Sequence, residues 1–318
     1  VRKQRGVALI TVLLIVVIVT VVCASMIARQ HLAIRTTANQ VLARQAWHYA
    51  LGGEVLAKAI LRRDTQADKT NGSIDHLGEA WARPLPALPI EAGAINVRIE
   101  DLAGRFNLNS LVQNQQPNTA AIAQFRRLLL QLGIEAPYAE RLVDWQDRDQ
   151  SPGQLYGAED LEYQRLDPPY RTADRRLYDV SELRLLLDMR DADYQRLAPL
   201  VSALPEDAAI NINTASAPVI ASLDDKLSLD TIAAALQERP AKGFRDIASF
   251  LAQPALSGTE LKGTQLAVKS QYFQVTSEVR LGGRRLVLAS LLKREDDGSI
   301  RVLQRNFGQP PRLLNEGD

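Results

Sequence analysis

Two residue types that build reactive sites are scarce in this 318-residue chain. It has one cysteine, Cys23, and three histidines, His31, His48 and His76. A lone cysteine rules out an intrachain disulfide and says nothing about the redox compartment. All three histidines precede the main body of the chain, which argues against a His-based zinc or catalytic site. An excess of charge is also missing. Lys and Arg number 38 against 37 Asp and Glu, a net charge of +1, so there is no electrostatic footprint for nucleic acid. Nucleophile elbow, phosphate loop and metalloprotease helix are all absent, and Gly52-Gly53 has no phosphate-loop context. Glu159 and Glu162 could in principle share acid–base work, but no partner or cleft is recognisable beside them. The expectation is a protein that is not an enzyme.

What the chain does have is one long apolar run. Arg2, Lys3 and Arg5 precede Gly6, residues 7–28 carry no charge, and Arg29 closes the segment. As a helix those residues would extend roughly 33 Å, enough to cross a bilayer core. The short basic flank would stay in the cytoplasm and the rest would be sent across. A cleaved secretory signal has a shorter apolar core, followed by small residues; here the core is long and Gly6 comes before it. A plain membrane anchor remains open on composition alone. The order basic leader, Gly6, uninterrupted apolar run resembles a type IV pilin-like leader. That resemblance implies cleavage between Gly6 and Val7 by a prepilin peptidase and N-methylation of Val7. Pilin-like subunits usually carry Glu at the fifth mature position, where it pairs with a neighbour's terminal amine; here that position is Thr11. A carboxylate without its partner would be costly in lipid, so a subunit with no neighbour above it does not need one. Lack of this Glu in a chain of this size resembles the type II secretion minor pseudopilin K (general secretion pathway protein K) family.

Further along, Leu42, Ala46, Tyr49, Gly53, Leu56 and Ile60 recur at steps of three and four, one face of an amphipathic helix. With no proline in residues 7–63, one long helix is expected there, its membrane part at 7–28. Residues 64–91 read as loop, punctuated by Asn71-Gly72, Gly78, Pro84, Pro86 and Pro89. Residues 94–102 alternate as a strand. Helical stripes follow, first Ile122, Phe125, Leu129 and Leu132, then Tyr138, Leu142 and Trp145. Asp179 with Glu182 reads as a capping box, Asn213 or Thr214 as the cap of a short helix containing Pro218, and Ser228 as the start of another. Strand patterning returns at 272–281, meets the hairpin signal Gly282-Gly283, and continues through 284–292 and 300–307. The expected fold class is α+β: a long N-terminal helix on a four-stranded antiparallel sheet, with a large all-α domain inserted between the first and second strands. The expected divisions are 1–6 leader, 7–63 helix, 64–104 and 269–318 pilin-like head, and 105–268 inserted domain of sterile-alpha-motif or helix-hairpin-helix type. The resemblance implies the same plan, since the protein K family carries a helical domain inserted in its pilin fold.

Two polar stretches are candidate sites. In the first, Asp144, Asp147, Asp149, Glu159, Asp160 and Glu162 surround glycines 153 and 157. Carboxylates two apart on a glycine-containing loop can wrap a hard cation through oxygens, although the EF-hand order is absent. The spacing alone equally describes a solvated acidic loop. The family resemblance implies Ca2+, with Asp147, Asp149 and Glu159 the leading ligands and Asp144, Asp160 and Glu162 behind them. The second, residues 210–223, resembles the start of a helix-hairpin-helix, which grips DNA phosphates through backbone N–H groups on a glycine hairpin. Here Asp224 and Asp225 stand at the hairpin and would repel a phosphate, so a scaffold without nucleic-acid partners is expected.

The resemblance as a whole implies a subunit of the bacterial inner membrane with its body in the periplasm, at the pseudopilus tip after assembly. It implies a tip complex with other minor pseudopilins, contact with secreted cargo and the outer-membrane channel, and support for export of folded periplasmic proteins. A DNA-uptake pseudopilin using the hairpin module and an unrelated single-pass membrane protein are the alternatives.

Overall fold

The computed structural model describes residues 5–71, 74–153, 156–259, 261 and 265–307. Residues 1–4 of the expected leader lie outside them. The dominant element is α1, Arg5–Asn71, a single helix of 67 residues. It begins before Gly6 and ends eight residues beyond the expected end at 63. The segment Asp64–Asn71 holds neither proline nor glycine, so nothing stops the helix before Asn71-Gly72. The part of 64–91 expected as loop therefore starts later.

The two halves of α1 have different surroundings. From Ala8 to Gln40 every residue is exposed, including Leu9, Ile15, Val21 and Ile27. From Leu42 onward α1 lies on a sheet. The seam it buries is Ala46, Ala50, Gly53, Ala57 and Leu61. The larger residues of the expected stripe, Leu42, Tyr49, Leu56 and Ile60, flank that seam and are half-buried. Small residues occupy the centre because the helix approaches the sheet closely: a Cβ on Gly53 would meet Val97 at 3.0 Å and the Ser277 hydroxyl inside van der Waals distance.

Among the described residues the sheet has five strands, one more than expected: β1 (Leu88–Ile90), β2 (Gly93–Asp101), β3 (Tyr272–Leu281), β4 (Arg284–Arg294) and β5 (Ile300–Asn306). Each pairs antiparallel with the next, in the order β1-β2-β3-β4-β5. The unexpected β1 is a three-residue edge strand, where Pro89 is tolerated. Gly282 and Gly283 both adopt positive φ, 56° and 76°, and close the tight β3–β4 hairpin in register Leu281↔Arg284. The alternating burial of β3 turns Phe273, Val275 and Val279 toward α1, and Trp81 meets Phe273 edge-on at 5.3 Å. Glu54 fastens α1 to this sheet. It is 2% exposed and accepts from Arg305 Nε at 2.7 Å, Ser290 Oγ at 2.8 Å and Lys58 Nζ at 2.7 Å. Burial alone would raise its carboxyl, but these donors outweigh it and bring it down to about 2.

Between β2 and β3, which are neighbours in the sheet, the chain runs through a largely helical block. Its helices are α2 (Thr119–Gln131), α3 (Tyr138–Gln146), α4 (Asp160–Tyr163), α5 (Asp191–Leu197), α6 (Ala217–Ala221), α7 (Leu229–Gln237) and α8 (Ile247–Leu251). The block is not all-helical. Among the described residues three two-residue ladders cross it, Phe106–Asn107 with Val201–Ser202, Val112–Gln113 with Gln116–Pro117, and Ile210–Asn211 with Leu266–Ala267. Two apolar cores fill it. The first, from Phe106 to Val201, holds the stripes of α2 and α3, with Phe106 stacked on Phe125 at 5.2 Å. The second, from Ile210 to Leu256, lies around α6 to α8. Asn107 and Asn109, buried at the start of the block, hold its far side. Asn107 Nδ2 donates to the Pro205 carbonyl, and Asn109 Nδ2 to those of Leu177 and Leu204.

The local caps fall mostly where expected. Glu182 and Asp179 form their capping box, although the turn they start, Val180–Leu185, is a 3-10 helix. Ser228 caps α7. Asn213 and Thr214 cap nothing. Before α6 the cap position is Ser216, and the Asn213 amide is engaged with Phe244, accepting from its N–H at 2.7 Å and donating to its carbonyl at 3.0 Å.

A candidate metal centre between α3 and α4

The end of α3 aims carboxylates at one point. Asp144 and Asp147 are one turn apart on and just after α3, and Asp147 ends the helix, its N–H on the Val143 carbonyl. The C-terminus of a helix carries partial negative charge, so carboxylates collected there raise the demand for a cation. The loop then turns through Asp149, whose Oδ1 accepts from the Ser151 N–H at 2.9 Å. It returns at Glu159, the residue before α4.

Asp147, Asp149 and Glu159 each offer an oxygen within 4.8 Å of the others. Two oxygens on one Ca2+, each about 2.4 Å from it, can be no farther apart than roughly that. Asp147 is 7% and Glu159 2% exposed, whereas Asp149 faces solvent. Asp147 Oδ1 and both Glu159 oxygens are buried without a hydrogen-bond partner among the described residues. Burial, then neighbouring negative charge, pushes Glu159 up to about 8 and Asp147 up to about 6. Buried carboxylate oxygens without a donor suit a hard cation with oxygen ligands.

The other acidic residues of the stretch separate by their contacts. Asp144 is 1% exposed, and both of its oxygens accept from the Gly153 N–H, at 3.1 and 3.2 Å. Burial raises it to about 6. A Cβ on Gly157 would fall inside van der Waals distance of Asp144 Oδ2, and one on Gly153 would lie 2.8 Å from Oδ1, so these glycines let the loop wrap that carboxylate. Asp160 turns away, accepting from the Thr172 N–H at 3.0 Å. Glu162 also turns away, accepting from the Glu159 N–H at 3.0 Å as a cap of α4. Asp174, which the sequence does not mark, is close enough to bear on both Asp147 and Glu159 through its charge. It sits at φ 49° and accepts from Thr172 Oγ1 at 2.7 Å. Nothing in its spacing from Glu159 marks it; only the fold brings it back.

A second acidic trio, Asp64, Asp75 and Glu79, also converges. There Arg294 already supplies the positive charge, with Nη1 3.1 Å from Asp64 and Nη2 on Asp75. At the N-terminus Gly6, Val7 and Thr11 all lie within α1, and the Thr11 hydroxyl donates to the Ala8 carbonyl at 2.9 Å. On the second core, the Asp224–Asp225 turn is held by Arg127 of α2. Its guanidinium donates to the carbonyls of Ser222 and Leu223 and approaches Asp225 at 3.2 Å.

Comparison with known proteins follows the same division of the chain. Two family models, both described as type II secretion system (T2SS) protein K, match residues 104–206 and 210–269. Type II secretion system protein K of Pseudomonas aeruginosa is 50% identical over 97% of this chain and 94% of its own length. That of Klebsiella pneumoniae is 39% identical over 96% and 97%. Among solved structures, the GspK-GspI-GspJ complex from the enterotoxigenic Escherichia coli type 2 secretion system contains a chain with a TM-score of 0.76 and 32% identity. The match covers 86% of this chain and 99% of that one.

Proposed function

The chain belongs to the type II secretion system protein K family, and on that premise we propose that it is the minor pseudopilin at the tip of the pseudopilus. In this reading it starts pseudopilus assembly together with other minor pseudopilins and supports export of folded periplasmic proteins through the outer-membrane channel. The helix α1 anchors it in the inner membrane with its body in the periplasm. A prepilin peptidase removes residues 1–6 and Val7 becomes the methylated terminus. The arrangement of α1 on β2, β3 and β4 is a pilin-type head, and residues 105–268 are a domain inserted into it.

The observation that carries this reading is α1 itself. One unbroken helix joins an exposed apolar half, long enough to span a bilayer, to a half packed on the sheet. Thr11 supports the tip position, because its hydroxyl is satisfied within its own helix and asks nothing of a neighbour. The related chain was solved in complex with GspI and GspJ, which supports partners of the same class here. Co-purification tests it. Co-expressed in membranes with the other minor pseudopilins of its system, the chain should be recovered in a stoichiometric complex with them. Recovery of the chain alone, under conditions where the others associate, refutes the reading.

Ca2+ is the ion we assign to the centre between α3 and α4. Asp147, Asp149 and Glu159 would hold it, with Asp144 and Asp174 nearby. The bound ion would supply positive charge and fix the 147–159 loop; it takes no part in a reaction. Asp160 and Glu162 hold the loop from behind through Thr172 and the start of α4.

A further inference from the structure

Away from the metal centre, a second buried polar cluster lies where the helical block meets the sheet. Asp101, the last residue of β2, is 9% exposed. Its Oδ1 accepts from the Ala103 N–H at 2.8 Å. Its Oδ2 accepts from Thr214 Oγ1 at 2.5 Å, Ser270 Oγ at 2.5 Å and Asn211 Nδ2 at 3.3 Å. The Asn211 amide also donates to Ser270 Oγ at 2.6 Å and to the Asp75 carbonyl at 3.1 Å. Ser270 N–H donates to Asp75 Oδ2 at 2.7 Å, and Arg294 joins Asp75 to Asp64 of α1 and to the Ser270 carbonyl. Backbone bonds run through the same place: Asn211 N–H to Ala103 O, Asp75 N–H to Val268 O and Leu102 N–H to Tyr272 O.

Position gives the cluster its meaning. The chain leaves the sheet for the helical block at Asp101 and returns just before β3 at Ser270. Two strands of chain crossing between two cores would by themselves form a hinge. Here residues 101–104 on the way out and Ser270 on the way back are buried, and side chains from four other places, Asp75, Asn211, Thr214 and Arg294, cross-link them. Gly104 lets them close, since a Cβ there would lie 2.6 Å from Thr214 Oγ1. The Ile-Asn-Ile-Asn-Thr segment thereby gains a physical role. Asn213 grips Phe244 inside its own core, and Asn211 two residues earlier reaches into the junction.

We propose that Asp101, Asn211, Thr214 and Ser270 form a lock that removes this hinge, so that the helical block, the sheet and α1 move as one body. The lock does not depend on the filament reading. The Asn211 side chain makes four of the hydrogen bonds here, three donated by Nδ2 and one accepted by Oδ1 from the Asn213 N–H at 2.9 Å, so removing it strips all four at once and leaves buried polar groups unmatched.

The test is a spin-label distance measurement on the full chain in lipid nanodiscs, with Cys23→Ala and labels at exposed positions on α1 (Arg63→Cys) and α7 (Gln237→Cys). The parent should give one narrow distance distribution. Asn211→Ala should at least double its width. Thr214→Val combined with Ser270→Ala, which removes only hydroxyl groups from the cluster, should broaden it in the same direction and decides the matter should Asn211→Ala not fold. Val279→Ala, a cavity in the sheet core at the far end of β3, where Val279 pairs with Ile95, should leave the width unchanged. A distribution unaltered by the folded junction variants, or broadened as much by Val279→Ala, overturns the proposal.

Discussion

Replacing Glu159 by glutamine keeps its shape and removes its charge, and the consequences differ sharply with pH and calcium. In the calcium-free chain, burial and the neighbouring carboxylates hold Glu159 at about 8, against an ordinary 4.5. A folded-state value raised this way contributes stability that is fully present below about 4.5 and is lost as pH rises toward 8. At 1.36 kcal/mol per tenfold change the whole displacement corresponds to roughly 5 kcal/mol. Relaxation and water entry discount it to about 2–3 kcal/mol. At about 2–4 °C per kcal/mol for a chain of this size, Glu159→Gln should raise the calcium-free Tm by roughly 5–10 °C at pH 8 and change it little at pH 4. Calcium should reverse the ranking. At a hundredfold excess over its Kd it stabilises the parent by about 2.7 kcal/mol, and the variant, short of one charged ligand, by much less. The assay is thermal unfolding of residues 29–318, with chelator or calcium, at both pH values. Equal Tm values for parent and variant at pH 8 without calcium, together with equal shifts on adding it, would refute the account of the site.

Calcium affinity should itself rise between pH 6 and 8, because the ion must displace the protons that Glu159 and Asp147 hold near 8 and 6; isothermal titration at the two ends of that range measures it, and a flat profile counts against these ligands. Gly157→Ala should force a Cβ onto the Asp144 carboxylate, costing about 1–3 kcal/mol in urea unfolding and weakening calcium binding with it. Glu54→Gln should destabilise the attachment of α1 to the sheet by roughly 3 kcal/mol at pH 7. Its carboxyl is lowered to about 2, so that contribution is present above 4.5 and fades as pH falls toward 2; an undiminished deficit at pH 2 would mean the ion pairs are not its source.

Much of the frame was legible because its signals are local. The apolar run, the absence of proline and the Gly282-Gly283 turn act within a few residues, and α1 and the β3–β4 hairpin follow from them directly. The edge strand at Leu88–Ile90 escaped because three residues containing Pro89 carry no periodicity; only pairing with β2 makes them a strand. The buried seam of α1 was legible only in part: the stripe holds Ala46 and Gly53 but not Ala50, Ala57 or Leu61. Periodicity weights large residues, whereas close packing against Val97 and Ser277 selects Gly53 and the alanines beside it. At the candidate site, spacing could collect Asp144 to Glu162 but could not divide them. Thr172 and the first turn of α4 decide that Asp160 and Glu162 face away, and Asp174 arrives from a segment with no local mark. Asn213 and Thr214 looked like caps because their side chains suit caps, and tertiary partners claimed them first.

The most direct test of the central claim is the N-terminal mass of the protein recovered from membranes that contain an active prepilin peptidase. The account predicts a chain beginning at Val7 and carrying an N-methyl group. A chain that retains Gly6 and the basic residues before it would contradict a pilin-class subunit, leave α1 an anchor alone, and remove the argument drawn from Thr11.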